Sequence, residues 1–411
     1  MNNYLDLKSN SRKFIGHGFF FSIAYHVAEP STILPLIVGY FSQNNILIGL
    51  FSSLVRGGTV LMQLFMAFFA QSYKKVLKPL KWLFMLRLIS WLIVGFSLYM
   101  FGSNKPVLTL WLVGAGLFSF SFFAGFGTIL FHELLGKLFS HNYRGITWAN
   151  RQIFMAIGGI SSAFITSWMF RRYEPPRSFA IAFLVSFCFM ATGYIILSTV
   201  KEEEKLNISA RESNFLMFFK NIFITLREDK TLNKQVIVCI FSYSYLFVLP
   251  FIIKNKDIGL KISGLALGSV VPLLTGGIAG NLIWKKFSSQ GNDKKIIQTS
   301  FLLIIIALLF AFNTKNIYQF VFIYILTGAA TDGFRLAFKN LVLSIAPENK
   351  RPVYFAIQNN ITSLGMFFSI PGGWILQNAG IDFLLFFSII LLFIGFIMSF
   401  SLKNYKIKEL K

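Results

Sequence analysis

Charge is scarce in this chain, and negative charge scarcer still. Of 411 residues only 13% are charged, with 16 aspartates and glutamates against 39 lysines and arginines, while 55% are hydrophobic. A soluble domain keeps about a quarter of its residues charged, so this shortage excludes a water-soluble globular protein. Cysteine is nearly missing. Cys188 and Cys239 both fall inside apolar runs and imply no disulfide framework; small buried apolar side chains are the reading they favour. The chain has no G-x-x-x-x-G-K-[ST], no H-E-x-x-H and no serine-elbow motif, so ATP-driven pumping and hydrolytic chemistry are not expected of it. We therefore expect no enzyme, no cofactor and no metal site. A long polar region is absent too, which leaves no room for a separate soluble domain.

Apolar runs fill the space instead. Crossing about 30 Å of hydrocarbon takes roughly 17 to 25 apolar residues as a helix, because backbone groups in lipid must bond within their own segment. Twelve such spans are expected, at 14–40, 46–70, 81–101, 107–131, 145–170, 178–200, 235–253, 262–284, 296–313, 317–340, 353–376 and 382–402. The N-terminal MNNYLDLKSNSRK lacks a small-residue cleavage site, so the first span is expected to be retained. Lysine and arginine crowd alternate loops, among them QSYKKVLKPLK, KKFSSQGNDKK and the C-terminal tail, which puts both termini in the cytoplasm. A net charge of +23 spread over short loops on one membrane face points to anionic lipid headgroups rather than nucleic acid. The longest polar interruption, KEEEKLNISARESNFLMFFKNIFITLREDKTLNK, has six spans on either side. It reads as a linker over 201–234 between six-helix bundles at 1–200 and 235–411, and its FLMFFKNIFITL as a short amphipathic anchor on the inner surface.

The two halves resemble each other. TILPLIVGYF…IGLFSSLVRGG lies over LFVLPFIIKN…SGLALGSVVPL with Pro35 on Pro250, Gly49 on Gly264 and Leu50 on Leu265. ELLGKLFSHNYRGITWANRQ lies over NLVLSIAPENKRPVYFAIQN with Arg144 on Arg351 and Ala149 on Ala356. Parallel repeats of this kind imply a substrate site near the midplane and alternating access.

On these features the chain resembles the major facilitator superfamily over essentially its whole length. That family's loop signature between spans 2 and 3, roughly G-x-x-x-D-x-x-G-R-K, is similar to AFFAQSYKK and, in the second half, to GIAGNLIWKK. Both copies depart from it. Gln71 and Asn281 stand where the family's acid would be, and Lys74 and Trp284 replace its second glycine. Gly277, Asn281, Lys285 and Lys286 are the closer match, and the resemblance implies a gating role for them. The run EPSTILPLIVGYFSQNNILIGLFSSLVRGG also resembles a group of poorly characterised bacterial permeases, which names no substrate. The resemblance implies an all-α membrane fold of twelve helices in two pseudo-symmetric bundles, a monomer in the bacterial inner membrane, with the first and fourth helices of each half lining the cavity.

Charges inside the spans carry the remaining functional information, because each costs several kcal/mol in hydrocarbon unless paired or wetted. Glu29 and Arg56 lie at nearly the same depth on adjacent spans, which favours a salt bridge across the SQNN turn. Pro30 removes a backbone donor beside Glu29, so it should loosen the first span and free a carbonyl for water or substrate. His26, one turn inward, is placed to relay a proton, with a packed neutral imidazole as the alternative. Asp332 and Arg335 sit three apart on one face of span 10, within GAATDG, whose small residues allow close helix approach. Pairs that only hold helices together remain the alternative for all four. Arg87 and Lys339 are expected to snorkel to the headgroups, and His17 to be solvated near an interface. Glu133 is expected to form a clamp with Arg144 or Arg151 where span 4 turns into span 5, and Arg351 to play the part of Arg144 in the second half.

Aromatic residues make up 17% of the chain. Tyr243 and Tyr245 in SYSYLF, and Gln358, Asn359 and Asn360 in QNNITS, offer hydrogen-bonding groups for a substrate cavity, with packing as the alternative for the tyrosines. The expected function is a secondary active transporter that moves a small organic solute, coupled to protons. An uncoupled facilitative permease and a non-transporting membrane sensor or assembly protein on the same fold are the alternatives.

Overall fold

The computed structural model describes residues 2–70, 75–139, 141–202, 224–255, 261–347 and 351–403. All regular structure among them is helical. The helices are α1 (Asn2–Tyr25), α2 (Ile33–Phe41), α3 (Asn45–Ala70), α4 (Leu77–Met100), α5 (Pro106–Leu138), α6 (His141–Arg172) and α7 (Arg177–Ser198). They continue as α8 (Lys230–Ser242), α9 (Leu249–Asn255), α10 (Ile262–Ser289), α11 (Asp293–Phe312), α12 (Ile317–Ile345), α13 (Arg351–Thr362) and α14 (Ser369–Ser399). Ten helical stretches among the described residues are long and apolar enough to cross a membrane. The last of these, Ile357–Ser399, contains two segments that meet at Gly380, whose φ of 82° and ψ of 172° require glycine.

Each expected span falls on helix, but three of them are interrupted. A 3-10 turn, His26–Ala28, separates α1 from α2; another, Tyr243–Phe247, separates α8 from α9; a third, Ser363–Phe367, separates α13 from α14. The first helix of each half is therefore broken at nearly equivalent positions. Two helix starts follow ordinary capping chemistry. Asp229 accepts hydrogen bonds from the Thr231 and Leu232 N–H groups at the start of α8, and Asn316 accepts from Gln319 N–H at the start of α12. Because Lys230 already lies in α8, helix replaces the end of the expected linker; residues 203–223 of it lie outside the described residues.

Helix faces divide by apolar neighbour rather than by polarity. On α4 the buried residues Leu80, Phe84, Arg87, Trp91, Val94 and Leu98 recur at three- and four-residue steps, while Trp82, Met85, Ile89, Ile93 and Phe96 are exposed. The exposed stripe is as apolar as the buried one, as a lipid-facing surface requires.

The chain divides into two compact units. Unit 1 comprises residues 1–43, 54–213 and 261–270; unit 2 comprises 44–53, 214–260 and 271–411. In unit 1, α1 packs on α6 and α7, and α4 packs on α5 and α7. Trp91 is fully buried there between Phe120 and Phe183, and its indole N–H donates to Ser186 Oγ at 2.7 Å. Glu202, just beyond α7, accepts the Val76 and Leu77 N–H groups at 2.9 and 2.8 Å, at the start of α4, and pairs with Lys137 of α5 at 3.0 Å. In unit 2, α11 packs on α12 and α14. Its α10 and α12 meet backbone to backbone: a Cβ on Gly328 would collide with the Leu273 carbonyl oxygen, and one on Gly276 with that of Ile325. The GAATDG segment thus gives the close approach its small residues imply.

Candidate functional site

The break in the first span is built from its sequence. Pro30 has no N–H to give, and Glu29 (φ −55°, ψ 117°) and Thr32 (φ −134°, ψ −72°) leave helical geometry around it. The carbonyl expected to be freed is not left open. His26 O accepts Glu29 N–H at 3.3 Å within the 3-10 turn, and Glu29 O accepts from Thr32 and Leu34 at 3.2 and 3.1 Å. The Glu29 carboxylate is buried, at 7% exposure, and accepts the Ser31 N–H at 3.4 Å. His26 Nδ1 lies 2.8 Å from Ser22 O, one turn back on its own helix. The side chains of Arg56, Arg144 and Arg351 lie outside the described residues, so the expected pairings with Glu29 and Glu133 do too.

Unit 2 gathers several expected residues into one cluster. Asp332 and Arg335 on α12 form an ion pair, and Asn281 Nδ2 on α10 donates to Asp332 Oδ2 at 2.6 Å. Gly277 makes room for that carboxylate, since a Cβ there would stand 2.9 Å from Asp332 Oδ2. The Tyr245 and Tyr243 phenols, in the break between α8 and α9, lie within electrostatic reach of the Arg335 guanidinium. The Arg335 side chain is 69% exposed and that of Asp332 19%. An ion pair so open contributes only about 0 to 1 kcal/mol to stability, so it is easily broken and remade. Lys285 and Lys286, at the end of α10, are exposed.

The amide triplet divides. Gln358 is buried, accepts from Gln235 Nε2 at 2.5 Å and donates to Phe338 O at 3.1 Å, where Gln235 donates as well. That arrangement ties α8, α12 and α13 together, so Gln358 serves packing rather than an open cavity. Asn359 is exposed and Asn360 half-buried.

A second cluster in unit 1 differs from the sequence-based reading. Arg87 does not snorkel: it is 9% exposed, with its guanidinium carbon 4.2 Å from the Phe120 ring centroid, 5.2 Å from Phe21 and 5.6 Å from Tyr194. His17 is not solvated but 4% exposed, ringed by Phe21, Phe84, Phe131 and Tyr194 at centroid distances of 5.7 to 6.0 Å. Arg151, expected as a clamp for Glu133, turns into the bundle. Its Nη2 is 3.5 Å from His17 Nδ1 and its Nη1 donates to Met155 Sδ at 2.8 Å. The physical reason is azimuth. Arg87 shares the buried stripe of α4, and Arg151 shares one on α6 with Thr147, Gly158, Ser162 and Thr166. That spacing of small and polar residues is the sequence signal that marks Arg151 as inward. Each ring face contributes about 0.5 to 2 kcal/mol to a cation.

Ten apolar stretches among the described residues, long enough to span a bilayer and with charged and amide groups held among them, are those of an integral membrane protein. The Major Facilitator Superfamily profile matches residues 234–410. No curated protein matches the sequence. Solved structures share the fold over nearly the whole chain. A D-xylose-proton symporter superposes with a TM-score of 0.75 at 13% identity, covering 96% of this chain and 98% of its own. The xylose transporter XylE from E. coli gives 0.69 at 13%, covering 99% and 98%. The nucleoside transporter NupG gives 0.68 at 14%, covering 95% and 98%. The matched residues form the second half of the chain, which is similar to that superfamily, and the solved structures show a shared fold.

Proposed function

We propose that this protein is a proton-coupled secondary transporter that moves a small organic solute across the bacterial cytoplasmic membrane by alternating access, with both termini in the cytoplasm. The observation that carries the reading is the Asp332, Arg335 and Asn281 cluster beside the broken eighth-to-ninth helix, where an exposed ion pair can exchange its partner for a proton or a solute. A carboxylate whose cation moves away takes up a proton more readily, and one whose cation returns releases it. Glu29, buried at the break in the first span, is the second candidate for that exchange. The superposing symporter of D-xylose and protons supports coupling as a chemistry this fold accommodates. Reconstitution into proteoliposomes tests the reading. An imposed inward proton gradient should drive accumulation of a transported solute, and Asp332→Asn should abolish accumulation while the protein stays folded. Equilibration without accumulation would make the protein a facilitative permease, and normal accumulation by Asp332→Asn would remove that residue from the site.

A further inference from the structure

The cluster inside unit 1 is short of acceptors. Arg87 and Arg151 are each more than nine-tenths buried, and neither has a carboxylate partner among the described residues. Four buried atoms around the same aromatic box find no hydrogen-bond partner among the described residues: Arg87 Nε, Arg151 Nε, His17 Nε2 and the Tyr194 hydroxyl. The arginine Nε atoms carry hydrogens and only donate. His17 turns its Nδ1 toward the Arg151 guanidinium, which only donates, so the imidazole hydrogen resides on Nε2 and that atom donates as well. Tyr194 adds a hydroxyl. His17 lies within electrostatic reach of both guanidiniums. Every missing partner is thus met by an acceptor, and two of the groups that need one are cations. Rings alone do not replace the water a guanidinium loses on burial, and a buried charge left without a counter-charge is strongly destabilising. Arginine forks match planar or tetrahedral oxyanions two bonds at a time.

We propose that Arg87, Arg151, His17 and Tyr194 form an oxyanion site in unit 1 that takes the carboxylate or phosphate group of an organic ligand. Where that ligand is the transported solute, the inference rests on the transport reading above and makes the solute anionic. The same oxygens are offered by a phospholipid headgroup, and the experiment separates the two.

The full-length protein is placed in nanodiscs of a zwitterionic phospholipid and its thermal midpoint is followed against sodium phosphate and sodium benzoate. Benzamide controls for the ring, and sodium chloride at matched ionic strength controls for screening. The expected result is a saturable rise of a few degrees with at least one oxyanion and none with either control. Arg87→Met and Arg151→Met should each lose that rise, while their midpoints without oxyanion equal or exceed the unmodified protein's, because an uncompensated buried charge has been removed. Arg87→Lys keeps the charge without the fork and should weaken the oxyanion effect by about tenfold. No saturable rise in the unmodified protein with phosphate, benzoate or phosphatidylglycerol, or a rise that both methionine variants retain, overturns the site. A rise seen only when phosphatidylglycerol replaces the zwitterionic lipid, and lost in the variants, keeps the oxyanion site and overturns an anionic solute as its occupant. Proteoliposome flux is measured separately, so loss of the transport reading leaves the binding result standing, and the reverse.

Discussion

Glu202 offers the sharpest test of how unit 1 ties α4 and α5 to the segment after α7. Its side chain is 3% exposed and that of Lys137 11%, so their 3.0 Å pair is screened little by solvent. The same carboxylate accepts the Val76 and Leu77 N–H groups at 2.9 and 2.8 Å, near the start of α4, where the helix dipole favours negative charge. Glu202→Gln keeps the shape and one acceptor but removes the charge that faces Lys137. Breaking a buried pair costs about 3 to 5 kcal/mol, and the retained amide places the expected loss near the lower limit, at about 3 kcal/mol. At roughly 2.1 cal/mol/K per residue for a chain of 411 residues, that lowers the thermal midpoint by about 3 to 4 °C. Differential scanning fluorimetry on the detergent-solubilised protein reads the shift. Lys137→Met closes a double-mutant cycle in which the two changes together should cost less than their sum. A Glu202→Gln midpoint within about 1 °C of the unmodified protein, or strictly additive losses, would refute the reasoning.

Three further outcomes are expected. Asp229→Ala removes the cap of α8 and should cost about 1 kcal/mol near neutral pH, measured by chemical denaturation of the solubilised protein. Burial of Asp229 works against its charge, but hydrogen bonds from the Tyr354 hydroxyl and the Leu232 and Thr231 N–H groups outweigh it and hold the carboxyl below its ordinary range. The charged carboxylate's contribution is therefore present above the ordinary carboxylate pKa and fades as pH falls through the depressed one, so the gap between the two proteins should narrow in acid. Gly328→Ala should fail to give a monodisperse peak on size exclusion, whereas Gly127→Ala, where the nearest atom to a new Cβ is Leu80 Cδ1 at 3.7 Å, should elute normally. Glu29→Gln should retain solute binding and lose pH-driven accumulation in proteoliposomes; accumulation with unchanged pH dependence would make Glu29 structural.

The position of helices along the chain was legible in the sequence, and azimuth was not. Length and apolarity place the spans, and Pro30 and Gly380 mark two of the places where helical geometry fails. Asp332 and Arg335 pair as their spacing of three implies. Asn281, singled out because it replaces an acid in a loop signature, turns out to donate to Asp332, a contact across 51 positions that no local pattern contains. Arg87 and His17 were misplaced because both faces of a membrane helix are apolar, so hydrophobicity does not tell the lipid side from the packed side. Only the small and polar companions at steps of three and four do that. Glu202 escaped notice for the opposite reason: within KEEEK it looks like one of several solvated charges, and only the fold brings it to Val76 and Lys137.

The order of synthesis gives α1 a problem of its own. Its packed face carries Asn10, Ser11, His17 and Ser22, all buried, and their partners are made late. Asn10 donates to Lys201 O, Ser11 Oγ meets Thr147 Oγ1 at 2.9 Å, and Ser22 Oγ donates to Met155 O at 2.6 Å. Lipid offers these groups nothing, so α1, made before α6 and α7, must wait in the membrane, or at its edge, until more than a hundred further residues have followed. At about 5 to 20 residues per second that wait lasts many seconds. During it α1 is a half-satisfied helix open to the insertion machinery, to chaperones and to membrane proteases, and docking of α6 and α7 is the event that ends its exposure.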